Sequence, residues 1–322
     1  LTTSDYDRAY ECYDVLSRES NWSKAIYQYA KAAMLYESSS HSRAQSNAIM
    51  HTVPGLVQRV AGRHLPFERF VRLKAAKFDS LTQLGLPAIE FSYLWHCLAQ
   101  TPVYLLVEEH LERIDHVLRH LGQYESPAAF PGGAQAFYSQ HCLAHFLRGV
   151  VLRYAAFPKK YTVVQTPRHE HLPVAQMASD AAHALHTVCA DGQHLDAVDR
   201  YLVYFAHYEL GKLYTAQGEF AKARCEFELI QSRKPLVPQD SPIPLKSGKA
   251  SYLLSHMCQM RANFAMSSMP RHAAPPPHRP PHGPPKATSS RPPSEASRAA
   301  PSSATARTPV PTTHYNDIPE TL

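Results

Sequence analysis

Apolar residues recur every three to four positions along most of this chain, the spacing that lines one face of an α-helix. That spacing predicts a helix over Tyr6–Glu19, with Ser4 or Asp5 as its N-cap and Ala9, Tyr13 and Leu16 on one face. A second, over 21–36, carries Trp22, Ala25, Ile26, Tyr29, Ala32 and Ala33 in one stripe. Residues 38–47 read as a polar linker. Within 53–78, Gly62 and Pro66 bracket a turn, Pro66 lies near a helix start and Glu68 falls in its first turn. Phe70, Leu73 and Ala76 then make an apolar side, and Arg69, Arg72, Lys74 and Lys77 supply positive charge. Further helices are predicted over 87–99 (buried, with Phe91, Tyr93 and Trp95), 102–120 (with Glu109 four residues before Arg113), 134–156, 174–190 and 249–265. Gly192 marks the end of the fourth of these. Nothing alternates convincingly as a strand, so the predicted class is all-α.

The strongest local pattern is residues 201–235. Leu210 and Gly211 sit together, Tyr214 follows three residues later, then Gly218, Ala223, Phe227 and finally Pro235. This is the 34-residue tetratricopeptide pattern, two short helices whose small residues allow close approach. Gly211 and Ala223 are the expected close-packing points, with Tyr214 and Phe227 filling the space between the helices. His207 stands where the pattern usually has an aromatic residue. Such a unit cannot bury its own faces, so its neighbours are expected to be hairpins too, stacked into a curved solenoid. Ala9 and Tyr13 repeat the spacing of Ala223 and Phe227, and Trp22 and Tyr29 the separation of the first and third signature positions.

Composition divides the chain. Of its 27 prolines about half lie after Met269, in Ser-rich sequence too poor in apolar residues to offset the entropy of ordering. The expectation is a helical-repeat domain over 1–266 and a disordered tail over 267–322. The chain opens at Leu1, directly before a helix and without an initiator Met or a secretory signal, and reads as the C-terminal part of a longer protein. No apolar run approaches the ~20 residues that span a bilayer. The net charge of +6 over 322 residues is too modest for a nucleic-acid binder. Six cysteines without any Cys-x-x-Cys pair fit a reducing compartment and buried, inert thiols.

Candidate chemistry is sparse. His141, Cys142 and His145 share a helix face but lack the Glu of a zinc hydrolase helix. His183 and His186 follow Asp180, and His169, Glu170 and His171 fall in a loop, so ordinary histidines are the better reading in each case. No nucleophile elbow and no phosphate-binding Gly-rich loop is present, and neither catalytic residues, a cofactor nor a metal is expected. The best candidate site is the basic group Arg59, Arg63, Arg69, Arg72, Lys74 and Lys77, able to attract anionic lipid headgroups or an acidic partner segment. Its plainer reading, and the favoured one, is a solvated helix face ion-paired to acidic residues elsewhere in the stack. Aromatic residues (Trp22, Tyr27, Tyr29, Tyr93, Trp95, Tyr204, Tyr208, Tyr214) are expected mainly in packing, with a few available as anchors for a peptide. Proline runs over 275–285 suit small polyproline-recognition domains.

Four stretches together resemble the tetratricopeptide repeat protein 39 family, which includes the fungal inclusion-body clearance proteins. They are ESNWSKAIYQYAKAA (19–33), the 53–78 stretch through Gly55, Leu56, Arg59, Ala61, Gly62, Pro66, Glu68, Phe70, Arg72, Lys74 and Ala75, LPAIEFSYLW (86–95) and YELGKLYTAQGEFAKA (208–223). Residues 39–51, 121–135 and 158–173 depart from the pattern as loops. The resemblance implies an intracellular, non-enzymatic helical-repeat adaptor, cytoplasmic and also nuclear or at inclusions and lipid droplets. It implies protein partners and a role in inclusion-body clearance after folding stress, or lipid and sterol homeostasis in its animal branch. A lipid- or sterol-binding protein is the alternative, and would need a closed apolar cavity.

Overall fold

A computed structural model of the chain describes residues 1–38, 43–60, 63–80, 86–159, 173–237 and 252–270. The expected tail from 271 onward lies outside the described residues, as do Ala61, Gly62, His169, Glu170 and His171 and the start of the expected 249–265 helix. Leu1–Ala273 is one compact unit. It is all-α, a stack of helical hairpins, with α1 (Tyr6–Glu19), α2 (Lys24–Glu37), α3 (Arg43–Thr52), α4 (Pro66–Ser80), α5 (Pro87–Leu94) and α6 (Val103–Leu105) in its first half. A π-helical turn, Leu106–Leu111, joins α6 to α7 (Glu112–Leu121), and α8 (Gly133–Ala156), α9 (Val174–Asp191), α10 (Tyr201–Ala216), α11 (Phe220–Gln231) and α12 (Ser255–Ser267) follow. The β structure among the described residues is one antiparallel rung, β1 (Arg59–Val60) on β2 (Arg63–His64), with Val60 opposite Arg63.

Two helix starts have a clear local cause. Asp5 caps α1 by accepting the Arg8 backbone N–H at 3.0 Å, and Pro87 starts α5 at a position where its missing N–H costs nothing. Helix α3 begins inside the expected 38–47 linker. Ser46, Met50 and Val53 fall at helical spacing and are fully buried, and the Ser46 hydroxyl donates to the Ala32 carbonyl of α2 at 2.8 Å. Arg113 does not pair with Glu109 as expected. It reaches Glu37 of α2 at 3.2 Å instead, across the helix interface.

The tetratricopeptide hairpin is α10–α11. A Cβ on Gly211 would stand 2.5 Å from the Phe227 ring, so only Gly lets α11 approach this closely. Phe227 and Ala223 are fully buried, and Gly218 turns the chain at φ +79°. Pro235 lies just beyond α11, exposed. Tyr214 departs from expectation: it is half-buried, hydrogen-bonded to His186 of α9 at 3.1 Å, with Lys222 over its ring. Its ring therefore sits between His186 of α9 and Lys222 of α11, only half-buried, instead of filling the buried space between the two helices. Around this hairpin one continuous hydrophobic core runs from Tyr6 to Met269, with α8 packed on α9 and also touching α5 and α10.

Candidate functional site

The basic stretch does not form one face. Lys74 and Lys77 point into the core, where Lys74 is 1% exposed and its Nζ lies 2.8 Å from Glu90 of α5 and 3.1 Å from Asp199. Lys77 bonds Asp199, Asp196 at 2.9 Å and the Ser139 hydroxyl of α8 at 2.6 Å. The Tyr201 hydroxyl donates to Glu90, closing a network that ties α4, α5 and α8 to the start of α10. Burial works against the Lys74 charge, but Asp199 and Glu90 outweigh it and raise its pKa. Burial likewise works against the Asp199 carboxylate, and the two ammonium groups outweigh it and hold its pKa low. These lysines are therefore withdrawn from any surface site, for a physical reason: they share the inward stripe of α4 with Phe70, Val71, Ala75 and Phe78. The favoured reading foresaw the acidic partners but not the burial. Arg69 is exposed, and Arg72 is half-buried with its Nε unpartnered. The side chains of Arg59 and Arg63 lie outside the described residues.

What the surface at the ends of α2 and α5 presents is aromatic. Trp95 is 39% exposed, stacked on Phe91 with ring centroids 4.7 Å apart and met edge-on by Phe67 at 4.4 Å. Ser23 donates to Glu68 at 2.7 Å, and Glu68 also accepts the Gln58 backbone N–H at 2.9 Å. This fastens Ser23, and with it the preceding Trp22, 55% exposed, to the first turn of α4. Trp22 in turn meets the ring of Tyr27 at 6.0 Å. Both tryptophans precede a non-glycine residue in the left-handed region, Ser23 (φ +38°) and His96 (φ +59°). Such backbone costs on the order of 1 kcal/mol and persists where the surroundings hold it. Sequence spacing put Trp22 and Trp95 inside helices. In the fold α2 starts after Trp22 and α5 ends before Trp95, so each ring sits at a helix end. Tyr29, Tyr93, Tyr204 and Tyr208 are packing residues, as expected.

Cavities open at the surface among the described residues include three of about 510, 480 and 330 Å³. The one of about 510 Å³ lies between α2 and α7, and charged residues such as Glu37, Arg43, Glu112 and Arg113 line it together with apolar Tyr36, Leu86 and Val117. Among the described residues no group of three or more His, Cys, Asp or Glu is placed to hold a metal ion. His141 faces Asp191 at 3.2 Å, while its expected companion Cys142 is fully buried. His145 is held down to about 4 by burial, then by His141, Arg148 and His183. Among the described residues no helix is long and apolar enough to cross a membrane.

Residues 1–155 match the family model described as Iml2/Tetratricopeptide repeat protein 39, the family that the motifs point to. That span holds the first three motifs, with Trp22, Phe67 and Trp95, and the α10–α11 hairpin follows it. The Caenorhabditis elegans protein named Tetratricopeptide repeat protein ttc-39B is similar, 24% identical over 148 residues, 44% of this chain and 23% of that relative. The chain thus spans under a quarter of the length of this relative. No solved structure matches.

Proposed function

We propose that this chain is a non-enzymatic helical-repeat adaptor that holds partner proteins, acting in the clearance of protein inclusions with lipid droplets after folding stress. The family match over residues 1–155 supports a scaffold that binds proteins. The observation that carries the reading further is the aromatic group Trp22, Phe67 and Trp95, two of whose rings stand out at strained, well-fastened helix ends. Rigid exposed aromatic side chains give large contact area at small entropic cost, which is why Trp and Tyr dominate binding hot spots. Arg69, at the exposed edge of α4, suits a partner segment that combines apolar and acidic residues. A lipid or sterol carrier would need a closed apolar cavity, and none of the three cavities is both.

Proximity labelling of the protein in cells under misfolding stress tests this. The expected neighbours include proteins of lipid droplets and inclusions. Neighbours drawn wholly from another machine would end the clearance reading and leave the scaffold standing.

A further inference from the structure

We infer that the cavity of about 510 Å³ between α2 and α7 binds a small phosphate monoester that carries free hydroxyl groups, such as a sugar phosphate. Its volume falls within the roughly 300–1,000 Å³ of small-molecule pockets. The last turn of α2 supplies Glu37, the start of α3 supplies Arg43, and α7 supplies His116 and His120 one turn apart. The site is separate from the aromatic group and does not depend on the adaptor reading.

Glu37 is the residue that asks for a ligand. Its side chain is 9% exposed, and only one of its carboxylate oxygens is engaged. Oε2 accepts from Arg113 Nη1 at 3.2 Å, whereas Oε1 is buried without a hydrogen-bond partner. Arg113 is not free to turn and serve the second oxygen. The same Nη1 donates to the Glu37 backbone carbonyl at 3.2 Å, and the guanidinium lies over the Tyr6 ring, 5.1 Å from its centroid. A buried acceptor left unpaired is costly, so a donor that arrives through the cavity is stabilised there. Arg113 already supplies the cation to this carboxylate, and a neutral hydroxyl is the donor that adds no second one.

The rest of the wall is suited to an anion. Arg43 lies over the Tyr36 ring, 5.1 Å from its centroid, and forms no ion pair among the described residues. The two acids of the wall are already committed, Glu37 to Arg113 and Glu112 to Arg119 at 2.6 Å. His116 and His120 add ring N–H donors. Three donor groups from two helices match the three terminal oxygens of a phosphate monoester, where a carboxylate offers two. Leu86 and Val117 give the carbon skeleton an apolar wall. The ligand therefore has two required parts, an anion for Arg43 and the imidazoles and a hydroxyl for Glu37.

Calorimetry on the full chain with glucose 6-phosphate, glucose and inorganic phosphate tests both parts. Glucose 6-phosphate is expected to bind at least about tenfold more tightly than either of the others, since each of those fills one half of the site. Arg43→Glu, checked for an unchanged melt, is expected to remove its advantage over glucose. Glu37→Gln keeps the side-chain shape, but with the amide oxygen turned to Arg113 an NH2 group faces the cavity. That variant is expected to lose the advantage over inorganic phosphate. Should it unfold, R43E still decides, because Arg43 is exposed and breaks no ion pair. Absence of heat from glucose 6-phosphate at about 5 mM, binding no tighter than that of inorganic phosphate, or an advantage over glucose that survives R43E would each overturn the assignment.

Discussion

Lys74 and Lys77 fall four and seven residues after Phe70, on the stripe that also carries Val71, Ala75 and Phe78. Replacing Lys74 by Met leaves Glu90 and Asp199 buried without their common partner, which costs about 3–5 kcal/mol. Arg69→Glu, on the exposed side, shifts stability by under about 0.5 kcal/mol. Urea unfolding of the two variants checks the contrast, and equal effects would mean that Lys74 is not buried as described. Two histidines make opposite pH predictions. His207 is raised to about 9, so the stability it contributes is complete below the ordinary value near 6.5 and fades as pH rises toward 9. His145 is lowered to about 4, so its contribution is present above 6.5 and is lost as pH falls toward 4. NMR titration of the two rings reads both. The positions of Lys74 and Lys77 on the stripe were visible in the sequence, but charge type argued for the surface. Their partners Asp196 and Asp199 lie more than a hundred residues away, beyond any local pattern.

At the scale of elements, the tetratricopeptide hairpin was legible because its requirement is local. Gly211 and Phe227 meet within one helical pair. Gly211→Ala drives a methyl group into a fully buried ring and is expected to cost about 1–3 kcal/mol. Phe227→Leu in the same chain makes room, so the double variant should lose less than the sum of the singles. Thermal melts of the three proteins decide it, and strict additivity would mean that the two positions do not touch. Helix α3 was not legible, since a short stretch of polar residues reads as a loop until α2 is there to accept the Ser46 hydroxyl. The exposure of Trp22 and Trp95 was also hidden. Helix ends are the least predictable feature of a periodic pattern, and one residue at either end decides whether a ring is buried.

Across the whole molecule, the buried ionic network makes the stack less one-dimensional than an ideal repeat array, in which each unit touches only its neighbours. Arg153 of α8 pairs with Glu209 of α10 at 2.6 Å, and Tyr93 of α5 donates to the same carboxylate at 2.8 Å. The family match ends at residue 155, but the acidic partners of Lys77 and of Arg153 lie beyond it. Residues 1–157 expressed alone are therefore expected to lack a cooperative melt, whereas 1–270 keeps one, as calorimetry would show. The class of fold and its repeat type could be read from the sequence, because helical period and small-residue spacing are local. The closure of one half on the other could not. The central claim is that this stack is a protein-binding scaffold whose contact surface includes Trp22, just before α2, Phe67 of α4 and Trp95, just after α5. The most direct measurement compares proximity-labelled neighbours of the wild-type chain with those of a W22A/W95L variant whose melt is unchanged. The account predicts that the variant loses most stress-dependent neighbours while R69E loses only part of them. An unchanged set of neighbours in the folded double variant would contradict it.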